Sequence, residues 1–225
     1  MKRLFPALKC TVALIATLAS FPAVATPKGQ QVTLFLGARE NGTSQSLSYV
    51  MAPNHDLAAE GILLRANLGA GNPDAGETST SGDVMLGYQF VPNGWKVRVF
   101  AGVSAVNGMS TPAGLKNDTG LKVMGQVQAR KALPVYLNTT WSYEAIEQAY
   151  QVSVQLGSRF DAVTVGPELS VAGREGYHAL RLGVMATEMK LGALGVTLRT
   201  GYSFNTETSR GKDTPYLALS TTLQF

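Results

Sequence analysis

The sequence predicts an all-β protein, an antiparallel up-and-down transmembrane β-barrel of about 12 strands. The 225-residue chain contains 24 glycines, and only 15% of its residues are charged, against roughly 25% in a typical soluble domain. After residue 25, apolar residues recur at every second position and do not form the ~18-residue runs that membrane helices need. One apolar and one polar face along each strand is typical of outer-membrane barrels.

The first 25 residues are predicted to be a signal peptide. Three basic residues precede an apolar run over 11–20, and Ala23-Val24-Ala25 fits the small-residue cleavage motif. We therefore expect cleavage before Thr26, which leaves 26–225 as one barrel domain in the outer membrane of a Gram-negative cell. The single cysteine, Cys10, lies within this segment, so the mature barrel would have no disulfide.

Removal of the signal peptide also changes the charge balance. The full chain has 19 Lys and Arg residues against 15 Asp and Glu residues. Because the three basic residues of the signal peptide are lost, the mature chain is close to neutral. We therefore expect no nucleic-acid partner.

Alternation divides the rest of the chain into twelve predicted strands. The last strand shows it most plainly, because Leu217, Leu219 and Leu223 share one face with Phe225. The predicted strands span 31–39, 44–52, 59–70, 82–91, 95–106, 119–132, 135–143, 149–160, 162–172, 177–187, 190–204 and 214–225.

The connections predict how the barrel is oriented. Long polar segments at 71–81, 107–118 and 205–213 alternate with short ones such as 92–94 and 161. Outer-membrane barrels have long external loops and tight periplasmic turns, so we place the long segments outside the cell. An even strand number puts both termini on the periplasmic side. The connection after the second strand, 52–58, is longer than a periplasmic turn should be.

Aromatic residues fall near the predicted strand ends. Phe90 and Trp95 flank a predicted periplasmic turn, and Trp141, Tyr143 and Tyr177 lie near the opposite rim, as expected where lipid headgroups begin.

The chain also ends on an aromatic residue. Phe225, at the tip of an alternating strand, resembles the assembly signal read by the outer-membrane barrel insertion machinery. We expect that machinery and outer-membrane lipid to be partners of the chain.

The same alternation predicts a charged lumen, because an arginine facing lipid at the membrane midplane costs about 2–4 kcal/mol. Glu168 is the expected counter-ion, with Asp83 as a second inward acid. Two interpretations stay open: a paired network that fills a narrow barrel, or a basic passage or binding cleft. The predicted inward cations are Arg65, Arg98, Lys122, Arg130, Arg181 and Arg199.

The sequence offers little for catalysis. His178 is phased toward lipid, and a membrane-embedded Ser/His/acid hydrolase would need a partner such as Ser170, which is phased inward. His55 lies in a predicted periplasmic turn. We find no metal-ligand spacing and no phosphate loop. We therefore expect a protein that is not an enzyme and has no catalytic residue, cofactor or metal.

Several short motifs carry a family resemblance. The segments GILLRANLGAG (61–71), GYQF (87–90), VGPELSVAG (165–173) and LRLGV (180–184) are similar to those of BcsS-type cellulose biosynthesis proteins, and Gly166-Pro167-Glu168 is the most diagnostic. The resemblance implies a small outer-membrane barrel associated with cellulose production and export. It suggests cellulose or components of the cellulose synthase complex as partners, and it supplies no catalytic residues.

The functional alternatives are a small-solute pore or structural barrel and, less favoured, the membrane-embedded lipid hydrolase. A glucan conduit needs polar walls and stacking aromatics. Of the candidates Tyr88, Tyr136 and Tyr202, strict phasing places only Tyr136 inward.

Overall fold

A computed structural model describes residues 28–40, 42–72, 79–111, 114–129, 135–175, 177–205 and 213–225. The signal-peptide prediction for 1–25 and the prediction for Arg130 lie outside these residues. Within them the chain forms twelve strands and one 3₁₀ turn, Ile146–Gln148. The strands are β1 (Gln30–Arg39), β2 (Gly42–Met51), β3 (Gly61–Asn72), β4 (Ser79–Phe90), β5 (Trp95–Thr111), β6 (Gly114–Ala129), β7 (Val135–Glu144), β8 (Ala149–Phe160), β9 (Val163–Arg174), β10 (Tyr177–Leu191), β11 (Leu194–Asn205) and β12 (Thr214–Gln224).

The strands close into one antiparallel barrel. Each strand pairs with the next in sequence, and β1 pairs with β12, which confirms the predicted up-and-down topology. The closing pair is continued by two backbone hydrogen bonds: Gln30 N donates to Phe225 O at 2.9 Å, and Phe225 N donates to Gln30 O at 3.0 Å. Closure leaves no free sheet edge, as a barrel in lipid requires.

The outer surface is apolar along its middle. Val103, Leu121 and Leu217 are 58–69% exposed, whereas their strand neighbours Ser104 and Ala218 are buried inside the barrel. This is the alternation that the sequence predicts, with one face toward lipid and one toward the lumen. No helix in the described ranges is long and apolar enough to cross a membrane.

The barrel has two ends, named here by the connections that the sequence predicts there. We call the end with Lys28 and Phe225 the turn end and the opposite end the loop end. Exposed aromatics mark both ends on the outer surface, as expected of headgroup girdles. Those near the turn end are Tyr88, Phe90, Phe160 and Phe225, and those near the loop end are Trp141, Tyr143, Tyr202 and Phe204.

The predicted loop over 107–118 is wrong. β5 runs to Thr111 and β6 starts at Gly114, so this segment is an extended hairpin. Its glycines and polar residues have the composition of a loop, but the backbone pairing continues past a register shift between Val106 and Met109. The longest connection between described strands is instead 52–60 at the turn end, where the sequence predicts tight turns.

A tight turn is present between β4 and β5. Trp95 N donates to Pro92 O at 2.7 Å, and the two central residues, Asn93 and Gly94, both have positive φ angles of 32° and 85°. Asn-Gly is the pair favoured where both central residues need positive φ, because Gly lacks a Cβ and Asn tolerates this region.

Candidate binding site in the barrel lumen

The inner wall carries the predicted charges. Arg98 and Glu168 are 6% exposed, and Arg65 and Lys122 contact Asp83, whose side chain is 2% exposed. The remaining two cations lie on the inward face of their strands, where outward-facing leucines alternate with them; these two are Arg181 and Arg199.

One cluster of charges gathers around Asp83 on β4. Arg65 Nη1 lies 2.6 Å from Asp83 Oδ1, and Lys122 Nζ lies 3.0 Å from Asp83 Oδ2. Lys122 Nζ also lies 3.4 Å from Glu144 Oε2. Both Asp83 oxygens are paired with cations, and Lys122 bridges Asp83 and Glu144. This cluster therefore joins the inner faces of β3, β4, β6 and β7.

A second cluster is a chain of amides across β6, β7 and β8 that ends on a carboxylate. Gln126 donates to Asn138 at 2.9 Å, Asn138 donates to Gln155 at 3.0 Å, and Gln155 donates to Glu168 at 2.8 Å. We call these four side chains the amide ladder. Each amide has two N–H donors and two acceptor lone pairs, so each keeps hydrogen-bonding capacity beyond the ladder.

Glu168 pairs with one of the predicted cations. Its Oε1 lies 3.7 Å from Arg199 Nη1, and Arg199 also lies over the Phe35 ring, 5.1 Å from its centroid. The expectation that Glu168 is the common counter-ion of the lumen is corrected here, because Arg65 pairs with Asp83. Alternation gives the face of each residue but not which residues meet across the lumen, and Asp83 on the adjacent strand is closer to Arg65 than β9 is.

Arg98 is bound by an amide and not by an acid. Its Nε donates to Gln89 Oε1 at 2.7 Å, and Gln89, which is fully buried, donates in turn to the backbone oxygens of Leu57 and Ala59. Lys96 Nζ donates to the same Leu57 oxygen at 3.0 Å. The β2–β3 connection is therefore tied to the inner wall at the turn end.

An apolar cluster anchors this connection. Leu57 is 3% exposed and packs with inward side chains of β2–β5. Neither Leu57 nor Gln89 is singled out as a lumen residue by the alternation of the sequence. The available signal is the unusual length of 52–58, which contains one large apolar residue, Leu57. The cluster comprises Val50, Ala52, Leu57, Leu63, Met85 and Phe100.

A cavity of about 450 Å³ lies at the turn end of the lumen. Its wall contains three members of the amide ladder together with hydroxyl groups and both Arg98 and Arg199. This volume is in the range of small-ligand sites, and donors and acceptors dominate the wall. The ladder and hydroxyl residues that line it are Gln126, Asn138, Gln155, Thr33, Thr187, Thr197, Ser220 and Thr222.

The aromatic candidates do not form a stacking surface. Tyr136 does face inward, but it is 4% exposed and the Arg159 guanidinium lies 5.8 Å from its ring centroid. Tyr88 and Tyr202 are exposed on the outer surface. A ligand in the cavity would therefore be held by hydrogen bonds rather than by a free ring face.

The hydrolase candidates lie on opposite faces of the sheet. His178 is exposed and its Nδ1 lies 3.1 Å from the Tyr150 hydroxyl, whereas Ser170 is 3% exposed inside the barrel. His55 lies in the β2–β3 connection. These residues are not brought together as a nucleophile and base. In the described ranges, no group of three or more His, Cys, Asp or Glu side chains could hold a metal ion.

Comparison with protein families identifies the chain. A family model described as "Cellulose biosynthesis protein BcsS" matches residues 34–225. The chain belongs to this BcsS family. The resemblance carried by the short glycine-centred motifs is thereby confirmed over nearly the whole barrel. No curated protein matches the chain.

Solved structures share the fold at low sequence identity. The chain is similar to a KdgM porin, with a TM-score of 0.55, 11% identity, and coverage of 87% of this chain and 99% of that one. LpxR from Salmonella typhimurium gives a TM-score of 0.53, 12% identity, and coverage of 87% and 100%. These likenesses show that this BcsS family member has the fold of outer-membrane barrels.

Proposed function

We propose that this BcsS family member is an accessory outer-membrane barrel for cellulose production and export, and that its turn-end cavity holds glucan units. The observation that carries the proposal is the amide ladder facing a polar cavity in a chain of a cellulose biosynthesis family. Glucan chains present hydroxyl groups that both donate and accept, and amides meet both needs from one side chain.

The placement of the cavity supports this role. It opens at the end where both termini of the described barrel lie, and an even strand number puts that end toward the periplasm. A polymer made at the inner membrane would reach this end first. The proposed partners are therefore cellulose itself, components of the cellulose synthase complex and, during biogenesis, the barrel insertion machinery.

Gene deletion with complementation tests the function. Loss of the chain is expected to reduce extracellular cellulose, and the wild-type gene is expected to restore it. Fractionation should find the protein in the outer membrane after cleavage near Ala25. Unchanged cellulose output in the deletion strain would contradict the proposed function. A protein found in another cell fraction would contradict its placement in the outer membrane.

A second candidate function is a pore for small acidic solutes. Two solved neighbours are KdgM porin structures, one of them in complex with disordered oligogalacturonate, with a TM-score of 0.54 and 10% identity. Arg98, with no carboxylate within 4 Å among the described residues, would suit an anionic passage. Anion-selective conductance in a planar bilayer, together with normal cellulose output on deletion, would favour this candidate over the first.

A further inference from the structure

A row of polar side chains crosses the inner wall of the last four strands, in the loop-end half of the lumen. Ser170 on β9, Arg181 on β10, Ser203 on β11 and Thr214 on β12 are successive cross-strand partners. All four lie on the inward face of their strands, because each has at least one exposed neighbour in sequence on the opposite face: Leu169, Leu182, Tyr202 and Pro215. We call these four residues the Arg181 row.

Several polar atoms of this region are buried without a hydrogen-bond partner. They are Ser170 Oγ, Arg181 Nε, Ser203 Oγ and the Tyr216 hydroxyl. Ser170 and Ser203 are 3% and 0% exposed, so bulk water does not reach their hydroxyls. A buried donor without a partner costs free energy, and several of them together indicate an occupant that the protein alone does not supply.

The row beside the Arg181 row contains two glycines and a tyrosine. Gly183 and Gly201 are cross-strand partners, and Tyr216 follows on β12. The Tyr216 hydroxyl reaches over Gly183, where any Cβ would collide with it. The phenol oxygen therefore fills the position over Gly183 and is turned toward the strand that carries Arg181, while a Cβ on Gly201 would meet the backbone of Leu182.

A further feature of this region is the charge on Arg181. Among the described residues, no carboxylate lies within 4 Å of the Arg181 guanidinium. Arg39 is a second cation that acts on it, and Tyr177 and Tyr216 are phenols that act on it, Tyr177 as a hydrogen-bond partner. The nearest acid in this set is Glu168, which acts on Tyr216. A partly buried guanidinium without an acid favours an anion as its partner, because removal from water is repaid only by an opposite charge or by good hydrogen bonds.

We propose that the Arg181 row binds an oxyanion group, such as a carboxylate, sulfate or phosphate. The guanidinium supplies charge and a planar fork of donors, and the hydroxyls of Ser170, Ser203 and Tyr216 complete the shell. The site is separate from the turn-end cavity, whose wall contains none of these residues. This inference does not depend on a role in cellulose production.

The test measures anion binding to the purified full-length barrel. Thermal unfolding is followed while sodium sulfate or sodium glucuronate replaces sodium chloride at constant ionic strength. The wild type is expected to show a saturable rise in its unfolding midpoint. If glucuronate raises the midpoint at lower concentration than sulfate does, the oxyanion that binds is the carboxylate of a sugar acid. If sulfate raises it at lower concentration, the ligand is a small inorganic anion.

Variants separate binding from general salt effects. Arg181→Gln is expected to weaken the saturable response at least about tenfold, as the loss of a charge-assisted contact predicts, and Arg181→Lys should weaken it less. The control Arg65→Gln removes a lumen arginine that is already paired with Asp83. It should keep the wild-type anion response even if its baseline midpoint falls.

Two outcomes would overturn the proposal. One is a response to sulfate or glucuronate that Arg181→Gln retains in full, as exclusion of salts from the protein surface would produce. The other is the absence of any saturable response in the wild type, as expected if the row holds only water. If Arg181→Gln does not fold, the Ser170→Ala/Ser203→Ala double variant, which keeps the charge, must still weaken the response for the proposal to stand.

Discussion

Inside the barrel, large side chains pack against glycines on the neighbouring strand. Phe100 is 5% exposed and lies directly across from Gly87, which leaves room for its ring. A Cβ on Gly87 would meet that ring and the backbone of Val99. Side chains fill this part of the interior, and their packing depends on such pairs of large and small residues.

Gly87→Ala is expected to destabilise the barrel by about 1–3 kcal/mol, because added volume in a packed interior forces neighbours out of their rotamers. Gly71→Ala is the matched control, since a Cβ there would meet only ordinary contacts at 3.6 Å or more. Urea unfolding in lipid vesicles measures both. Equal midpoints for the two variants would contradict this account of the packing.

Glu168 is the residue whose charge matters most to the second cluster. Glu168→Gln removes the charge opposite Arg199 while keeping an oxygen that accepts from Gln155. We expect a loss of about 2–3 kcal/mol, the value of hydrogen bonds to charged groups, with a gain in anion preference wherever the lumen is wet. The control Glu60→Gln changes an exposed carboxylate that accepts from the Tyr88 hydroxyl at 3.2 Å, and it should change stability little. If Glu168→Gln alters neither the free energy of unfolding nor ion selectivity, the ion pair between Glu168 and Arg199 does not stabilise the barrel, contrary to this prediction.

Among the elements, β12 carries the closure of the barrel. It pairs with β11 on one side and β1 on the other, and Phe225, which follows it, extends the contact to Gln30. Thr33 Oγ1 and Thr222 Oγ1 add a hydrogen bond of 3.1 Å across the closing pair. A chain that inserts as a closed barrel needs this strand in place.

Deletion of Phe225 is expected to impair assembly more than any single loop change. The deletion removes two backbone hydrogen bonds to Gln30 and an aromatic side chain that is 51% exposed on the outer surface. The fraction of protein that runs as the folded, heat-modifiable form on gels reports assembly. Glu40→Ala, in the β1–β2 connection, is the control. Normal insertion of the deletion variant would refute the role given to the C-terminal residue.

The sequence predicts elements well where alternation is continuous. Twelve predicted strands match the twelve observed within a few residues, and Tyr136 and Glu168 face inward as predicted. The prediction fails in the segment 107–118. Its glycines and asparagines are typical of a loop, but the backbone hydrogen bonds between β5 and β6 continue into it. It also fails for contacts across the lumen: period 2 fixes a face but not that Gln89 binds the β2–β3 connection.

The orientation of the whole barrel follows from its even strand number, because both described termini lie at the turn end. Epitope tags inserted between β3 and β4 or between β11 and β12, which meet at the loop end, should therefore be labelled on intact cells. A tag at Asn93, in the tight β4–β5 turn, should need permeabilised cells. The reverse labelling pattern would invert the topology.

The proposed role of the turn-end cavity in cellulose export is tested by two variants, one in the cavity wall and one elsewhere in the lumen. Gln126→Leu removes an amide that lines the cavity, whereas Gln151→Leu removes one on the inward face of β8 near the loop end, outside the cavity wall. Extracellular cellulose is measured in a deletion strain that expresses each variant at equal outer-membrane levels. We expect reduced cellulose with Gln126→Leu and wild-type cellulose with Gln151→Leu. Wild-type output from both variants would contradict it.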